Sequence, residues 1–197
     1  MGLPNKYHMQ HYTLISWPNI PVSQILDIIT IHNLELERVE PLDKDIQNII
    51  AKILNIDVRQ CTDYKIMLVY IPVGKKLWIH SDKPKETTDP GKLGQALFLP
   101  LTSCEKLYWS WFECTDPSQI FYYGEEGKWQ TVPMLPYAAA KEIETVSANN
   151  TMITDIGTWH ALRNESDTPE IALSFRLLPW SWEEFSSSTT LPPIEFK

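Results

Sequence analysis

Cysteine is scarce. The chain holds three, Cys61, Cys104 and Cys114, an odd count with no C-x-x-C pair. This excludes a disulfide framework or a zinc knuckle and reads as reduced thiols in a reducing compartment. Long apolar runs are missing as well, and none approaches the roughly 20 residues that span a bilayer. The opening residues, Met1-Gly2-Leu3-Pro4-Asn5-Lys6, have neither the apolar centre of a signal peptide nor the Ser/Thr of a myristoylation site, so a cytoplasmic location is expected. Basic charge is short: 17 Lys and Arg against 25 Asp and Glu leave a net charge of −8, with no basic run beyond Lys75-Lys76. Binding to a nucleic-acid backbone usually requires a basic patch that releases counterions, so no nucleic-acid partner is expected. There is no internal repeat.

Glycine is sparse at seven, whereas Trp, Tyr and Phe number eight, eight and six. That balance suggests an aromatic-rich β core. The aromatics cluster at Tyr108-Trp109-Ser110-Trp111-Phe112, at Phe121-Tyr122-Tyr123, at Trp129 and at Trp180-Ser181-Trp182. Some of them are candidates for lining a substrate groove, since an aromatic side chain offers a large apolar area at little entropic cost.

At 197 residues, with 43% hydrophobic and 21% charged, the chain is long enough for one well-buried domain covering 1–197. Two helices are predicted first. After Pro21, Val22, Ile25, Leu26 and Ile29 fall at helical spacing. In the second, Asp43 and Asp45 suit the first turn, and Ile46, Ile49, Ile50, Ile53 and Leu54 form an apolar stripe. His32 is read as lying near the end of the first helix, and His8 and His11 as surface residues. From Tyr64 the texture changes to short strands: Tyr64–Ile71, Leu77–Asp82, Gln95–Leu101, Leu107–Glu113, Ile120–Tyr123, Ile143–Ser147, Met152–Asp155, and a hairpin around His160 leading to Arg176. Ala138 to Lys141 is read as a helical turn. Short strands without βαβ alternation indicate an all-β sandwich or barrel with helical additions. The layout is then a helical part over 1–60, a β core over 61–182, and a tail over 183–197 that is rich in Ser, Thr and Pro from Ser186 onward.

The chemistry-bearing residues are His80-Ser81-Asp82 and, much later, Trp159-His160. Side chains at i and i+2 on a strand point the same way, so an imidazole and a carboxylate can take adjacent positions on a transition metal. His160 would complete a 2-His-1-carboxylate set, with the opposite face open for substrate and O₂. Beyond a polar turn, Ile171, Leu173 and Phe175 alternate with Ala172, Ser174 and Arg176, the pattern of a half-buried strand with one polar or small face. A guanidinium at the end of that face can bind a carboxylate through two parallel hydrogen bonds.

Over roughly residues 64 to 178 the chain resembles the Fe(II)- and 2-oxoglutarate-dependent oxygenases, and within them the prolyl- and aspartyl-hydroxylase-like branch. The resemblance rests on Tyr70, the His80/Asp82 pair, His160 in its W-H-A-L-x-N setting, and the strand ending Ser174-Phe175-Arg176. It implies a double-stranded β-helix, the jelly-roll barrel shared with cupins, with Fe(II) held by His80, Asp82 and His160. The cofactors implied are Fe(II) and 2-oxoglutarate, with Arg176 on the far carboxylate of the cosubstrate and Tyr70 in its pocket. The implied reaction is hydroxylation of a peptide side chain, an amino acid or another small molecule. One departure stands out: many relatives carry the cosubstrate Arg about ten residues after the distal His, where this chain has Glu170. Arg176 or Arg163 could take over that role, or Glu170 and Arg176 could belong to a structural polar network. Two alternatives therefore stay open. One is a cupin-type metal barrel without 2-oxoglutarate, which the Gly-poor H-S-D setting disfavours. The other is a non-catalytic binding or assembly module, which Glu170 favours. Oligomeric state is open.

Overall fold

The computed structural model describes residues 11–14, 19–31, 39–54, 61–82, 94–123 and 132–177. The readings made for His8, His32, the 83–92 loop, Trp129, Trp180, Trp182 and the 183–197 tail fall outside them.

Two helices form where the apolar spacing predicts. The first, α1, spans Val22–Ile31 and the second, α2, Lys44–Leu54. Asp43 starts α2 by accepting the Asp45 amide at 2.8 Å through its carboxylate, which satisfies one of the orphan donors of a helix N-terminus. The buried stripe of α2 is Ile46, Ile50, Ala51 and Leu54, whereas Ile49, expected in the stripe, is 42% exposed. With about 100° between successive residues, Ile49 falls about 60° outside the buried arc, beyond half-buried Ile53.

Among the described residues twelve strands occur, in chain order β1 (Tyr12–Leu14, before α1), β2 (Val39–Pro41, between α1 and α2), β3 (Cys61–Ile71), β4 (Ile79–His80), β5 (Gln95–Pro100), β6 (Leu107–Cys114), β7 (Phe121–Tyr123), β8 (Val132–Leu135), β9 (Ala140–Ser147), β10 (Met152–Asp155), β11 (His160–Asn164) and β12 (Glu170–Leu177). They build two six-stranded antiparallel sheets, ordered β1-β10-β5-β12-β3-β2 and β7-β8-β4-β11-β6-β9. The fold is mainly β, a jelly-roll of the double-stranded β-helix kind with helices outside, as the sequence indicates.

The period of two along each strand separates two cores. Ile66 and Leu68 of β3, Leu97 and Leu99 of β5, and Leu173 and Phe175 of β12 pack with Ile25, Ile29, Ile46 and Ile50 of the helices. Their neighbours Val69, Ile71, Ala96, Phe98 and Ala172 face the other way and meet Leu107, Trp109, Trp111 and Leu162 of the second sheet. The interior face of β12 is therefore Glu170, Ala172, Ser174 and Arg176.

Three strands, β1, β2 and β8, were not legible in the sequence. The helical turn expected over Ala138–Lys141 is a short 3₁₀ turn at Tyr137–Ala139, with the strand already under way at Ala140. Pairing of Ala140 with Cys114 overrides the helical preference of a lone alanine run. Among the described residues no helix is long and apolar enough to cross a membrane.

Because Ile50 is fully buried between helix and sheet, Ile50→Ala should cost about 2–5 kcal/mol in urea denaturation. Ile49→Ala should change stability by roughly 0.5 kcal/mol or less.

Candidate metal centre

The pairing of β11 with β4 sets His160 directly opposite His80. Side chains so paired share a face, and the two imidazole centroids are 4.4 Å apart. Asp82, two residues beyond His80, returns to the same face, with Oδ1 3.8 Å from His80 Nε2. Among the described residues, His80, Asp82 and His160 form a group whose ligand atoms all lie within 4.8 Å of one another.

The same local device orients both histidines. Nδ1 of His80 lies 2.8 Å from the Trp78 carbonyl, and Nδ1 of His160 lies 2.9 Å from the Thr158 carbonyl. A carbonyl can only accept, so each Nδ1 carries a proton and each ring turns its Nε2 into the site. Burial, reinforced by the charge of neighbouring His80, pushes the His160 pKa down to about 3, so this ring is neutral over the ordinary pH range. Burial alone would raise the Asp82 carboxyl, but Arg176 first, then His80 and His160, hold it below the usual carboxylate range. Two imidazoles and one carboxylate are a donor set that suits Fe(II).

One turn connects the candidate ligands. The Asp155 carboxylate accepts the amides of Gly157 at 2.9 Å and Thr158 at 3.1 Å, shaping the loop that leads into His160. That loop also receives the Asp82 amide on the Ile156 carbonyl at 2.9 Å and the Ser81 hydroxyl on the Gly157 carbonyl at 2.6 Å. The indole N–H of Trp111 in turn holds the Asp155 carbonyl at 2.7 Å. Asp155 was not singled out in the sequence, although D-x-G-T is a recognisable Asx-turn signal.

Arg176 reaches the site, but its Nη1 donates to Asp82 Oδ2. The guanidinium thus fixes one carboxylate oxygen and leaves Oδ1 turned toward the histidines. Its remaining N–H groups make no hydrogen bond to a described residue. Arg163 does not reach in. It lies on the outer face, with Nη1 2.7 Å from Glu142 and Nε 2.8 Å from Glu165. Tyr70 shares the parity of Ile66 and Leu68, which turns it toward the helix-covered face and away from His80.

Glu170 lies at the other end of the barrel interior, about 20 Å from Arg176 along the strand at six residues of ~3.4 Å each. It is buried, accepts the Thr102 hydroxyl and, at 3.1 Å, the Cys104 amide, and ties down the turn after β5. It therefore belongs to a structural network remote from the histidines. Burial is also the main force that pushes the Cys104 thiol beside it up to about 12. Between the two ends, Trp109 stacks on His160 at 5.6 Å and meets Phe98 edge-on at 5.1 Å. His11, read from the sequence as a surface residue, is buried. Its Nδ1 is 2.7 Å from Glu144, and its ring stacks on Trp111 at 5.5 Å.

No protein-family model matches the chain, and no curated protein matches it in sequence. Among solved structures it is similar to the iron and alpha-ketoglutarate-dependent endoperoxidase NvfI, with a TM-score of 0.41 and 11% identity over 87% of this chain and 79% of that one. It is also similar to a prolyl-4-hydroxylase of Pseudomonas putida, with a TM-score of 0.36 and 10% identity over 86% and 90% of the two chains. Likenesses of this order assign no activity, and the chemistry of the site rests on its own geometry.

Because Arg176 holds the carboxylate ligand in place, Arg176→Met should weaken Fe(II) binding about 10–100-fold, the usual effect of removing a partner that orients a metal ligand. Isothermal titration under anaerobic conditions measures this, and an unchanged affinity would show that Asp82 needs no such support.

Proposed function

We propose that the chain is a non-haem Fe(II)- and 2-oxoglutarate-dependent oxygenase that hydroxylates a peptide side chain, an amino acid or another small molecule. The observation that carries this reading is the trio His80, Asp82 and His160, with ligand atoms within 4.8 Å of one another and both Nδ1 atoms spent on backbone carbonyls. When bound, iron would supply the activation of O₂. In the overall reaction, substrate R–H, O₂ and 2-oxoglutarate become R–OH, succinate and CO₂.

The residues of the chain contribute orientation, charge and dryness. His80 and His160 present Nε2, and Asp82 presents Oδ1. Arg176 neutralises Asp82 through Nη1 and keeps further N–H donors for a ligand carboxylate placed beside it. Trp109 and Trp111, both buried, keep water from the inner side of His160 and so strengthen every charge interaction there.

A second reading has one observation in its favour. Arg176, the cation that reaches the candidate site, is already paired with Asp82. An iron barrel that works without 2-oxoglutarate would be built in this way.

An anaerobic titration of the protein with Fe(II) and then 2-oxoglutarate separates the two. A visible metal-to-ligand charge-transfer band appearing only when both are present is the expected result. Iron bound without that band would leave the second reading, and no iron bound would remove both.

A further inference from the structure

One residue from each strand of the second sheet lies in a single row through the metal centre. Glu144 of β9, Trp111 of β6, His160 of β11, His80 of β4, Met134 of β8 and Phe121 of β7 are successive cross-strand partners. Directly paired residues place their side chains on one face, so the row is a continuous track with the two histidines at its middle.

The two halves of the track differ. On the β6 side Trp111 is fully buried and covered by stacked rings, His11 at 5.5 Å and Tyr12 at 5.8 Å. Glu144 holds His11 in that stack. This half is closed. On the β8 side the track rises from His80 over half-buried Met134 to Phe121, which is 39% exposed, and Trp78, 59% exposed, meets Phe121 edge-on at 5.8 Å. Two strand spacings of about 4.8 Å put Phe121 about 10 Å from His80.

We infer that this half is the substrate subsite, a shelf made by Met134, Phe121 and Trp78, and that it takes an uncharged, flat apolar small molecule whose reacting end lies at the histidines. The inference rests on the oxygenase reading for the identity of that reacting end. A thioether and two aromatic rings give large, adaptable apolar contact. Their one strong hydrogen-bonding group is the Trp78 indole N–H, at the outer end. Ring against ring covers these side chains without turning any polar group toward them, whereas a peptide laid on them would have to keep its amide hydrogen bonds on its other side, to water or to the edge strand β7. The shelf therefore favours a small apolar body over a polypeptide.

The test uses the full chain loaded with Mn(II), 2-naphthol as probe and a blocked, uncharged tetrapeptide as competitor class. Saturation-transfer NMR reads occupancy of the shelf without reference to the metal, and paramagnetic relaxation of the probe protons reads closeness to Mn(II). The expected result is saturation transfer to 2-naphthol together with relaxation enhancement. Both should weaken about tenfold in Phe121→Ser and in Met134→Ser, a loss typical of one apolar anchor, while Mn(II) affinity stays within about twofold. Binding of 2-naphthol that neither substitution disturbs, no binding at all, or tetrapeptide binding in its place would overturn the shelf, and retained Mn(II) would leave the metal reading standing. Loss of 2-naphthol in the variants with no Mn(II) bound to the parent would do the reverse.

Discussion

Everything at the candidate site depends on two hydrogen bonds from imidazole Nδ1 to the carbonyl two residues earlier in the chain, Trp78 for His80 and Thr158 for His160. Each bond fixes a tautomer and a ring plane together. Without them two histidines with centroids 4.4 Å apart could present either nitrogen and would more easily bond to each other or to water. With them, both lone pairs belong to the space shared with Asp82. The turn at 155–158 is the mechanical centre of this arrangement. One carboxylate, Asp155, shapes the loop whose carbonyls hold both the Asp82 backbone and the His160 ring.

Charge is distributed along the barrel in a way that keeps the two ends independent. At the mouth, Asp82 is neutralised by Arg176. At the other end, Glu170 is bound by a hydroxyl and an amide of the Thr102–Cys104 turn. Trp109, Phe98 and Leu162 fill the space between. A carboxylate that in one dimension looked like an obstacle to an anionic ligand lies too far along β12 to act on it. The arginine at the mouth has a more immediate partner than any cosubstrate.

The fold was largely legible, because the alternation along β12, the apolar run of β5 and the apolar stripes of α1 and α2 are local signals. The trio His80, Asp82 and His160 was readable as a hypothesis from an i, i+2 spacing on a strand. What could not be read is what depends on register between distant strands. Nothing near Met134 or Phe121 announces that β8 and β7 carry them into line with His80. Arg163, three residues after His160 on β11, is turned outward by the same parity that turns His160 in, but its partner Glu142 lies on a distant strand, and Tyr70 differs from a pocket residue only in parity. Strands of three or four residues such as β1, β2 and β8 have too few alternations to stand out, and they are fixed by pairing rather than by propensity.

The most direct test is a crystal structure of the protein grown anaerobically with Fe(II), with anomalous data collected at the iron edge. The expected result is a single peak bounded by Nε2 of His80, Nε2 of His160 and Oδ1 of Asp82, with both Nδ1–carbonyl bonds intact. A peak elsewhere, or none at iron concentrations well above those bound by ordinary non-haem sites, would contradict it.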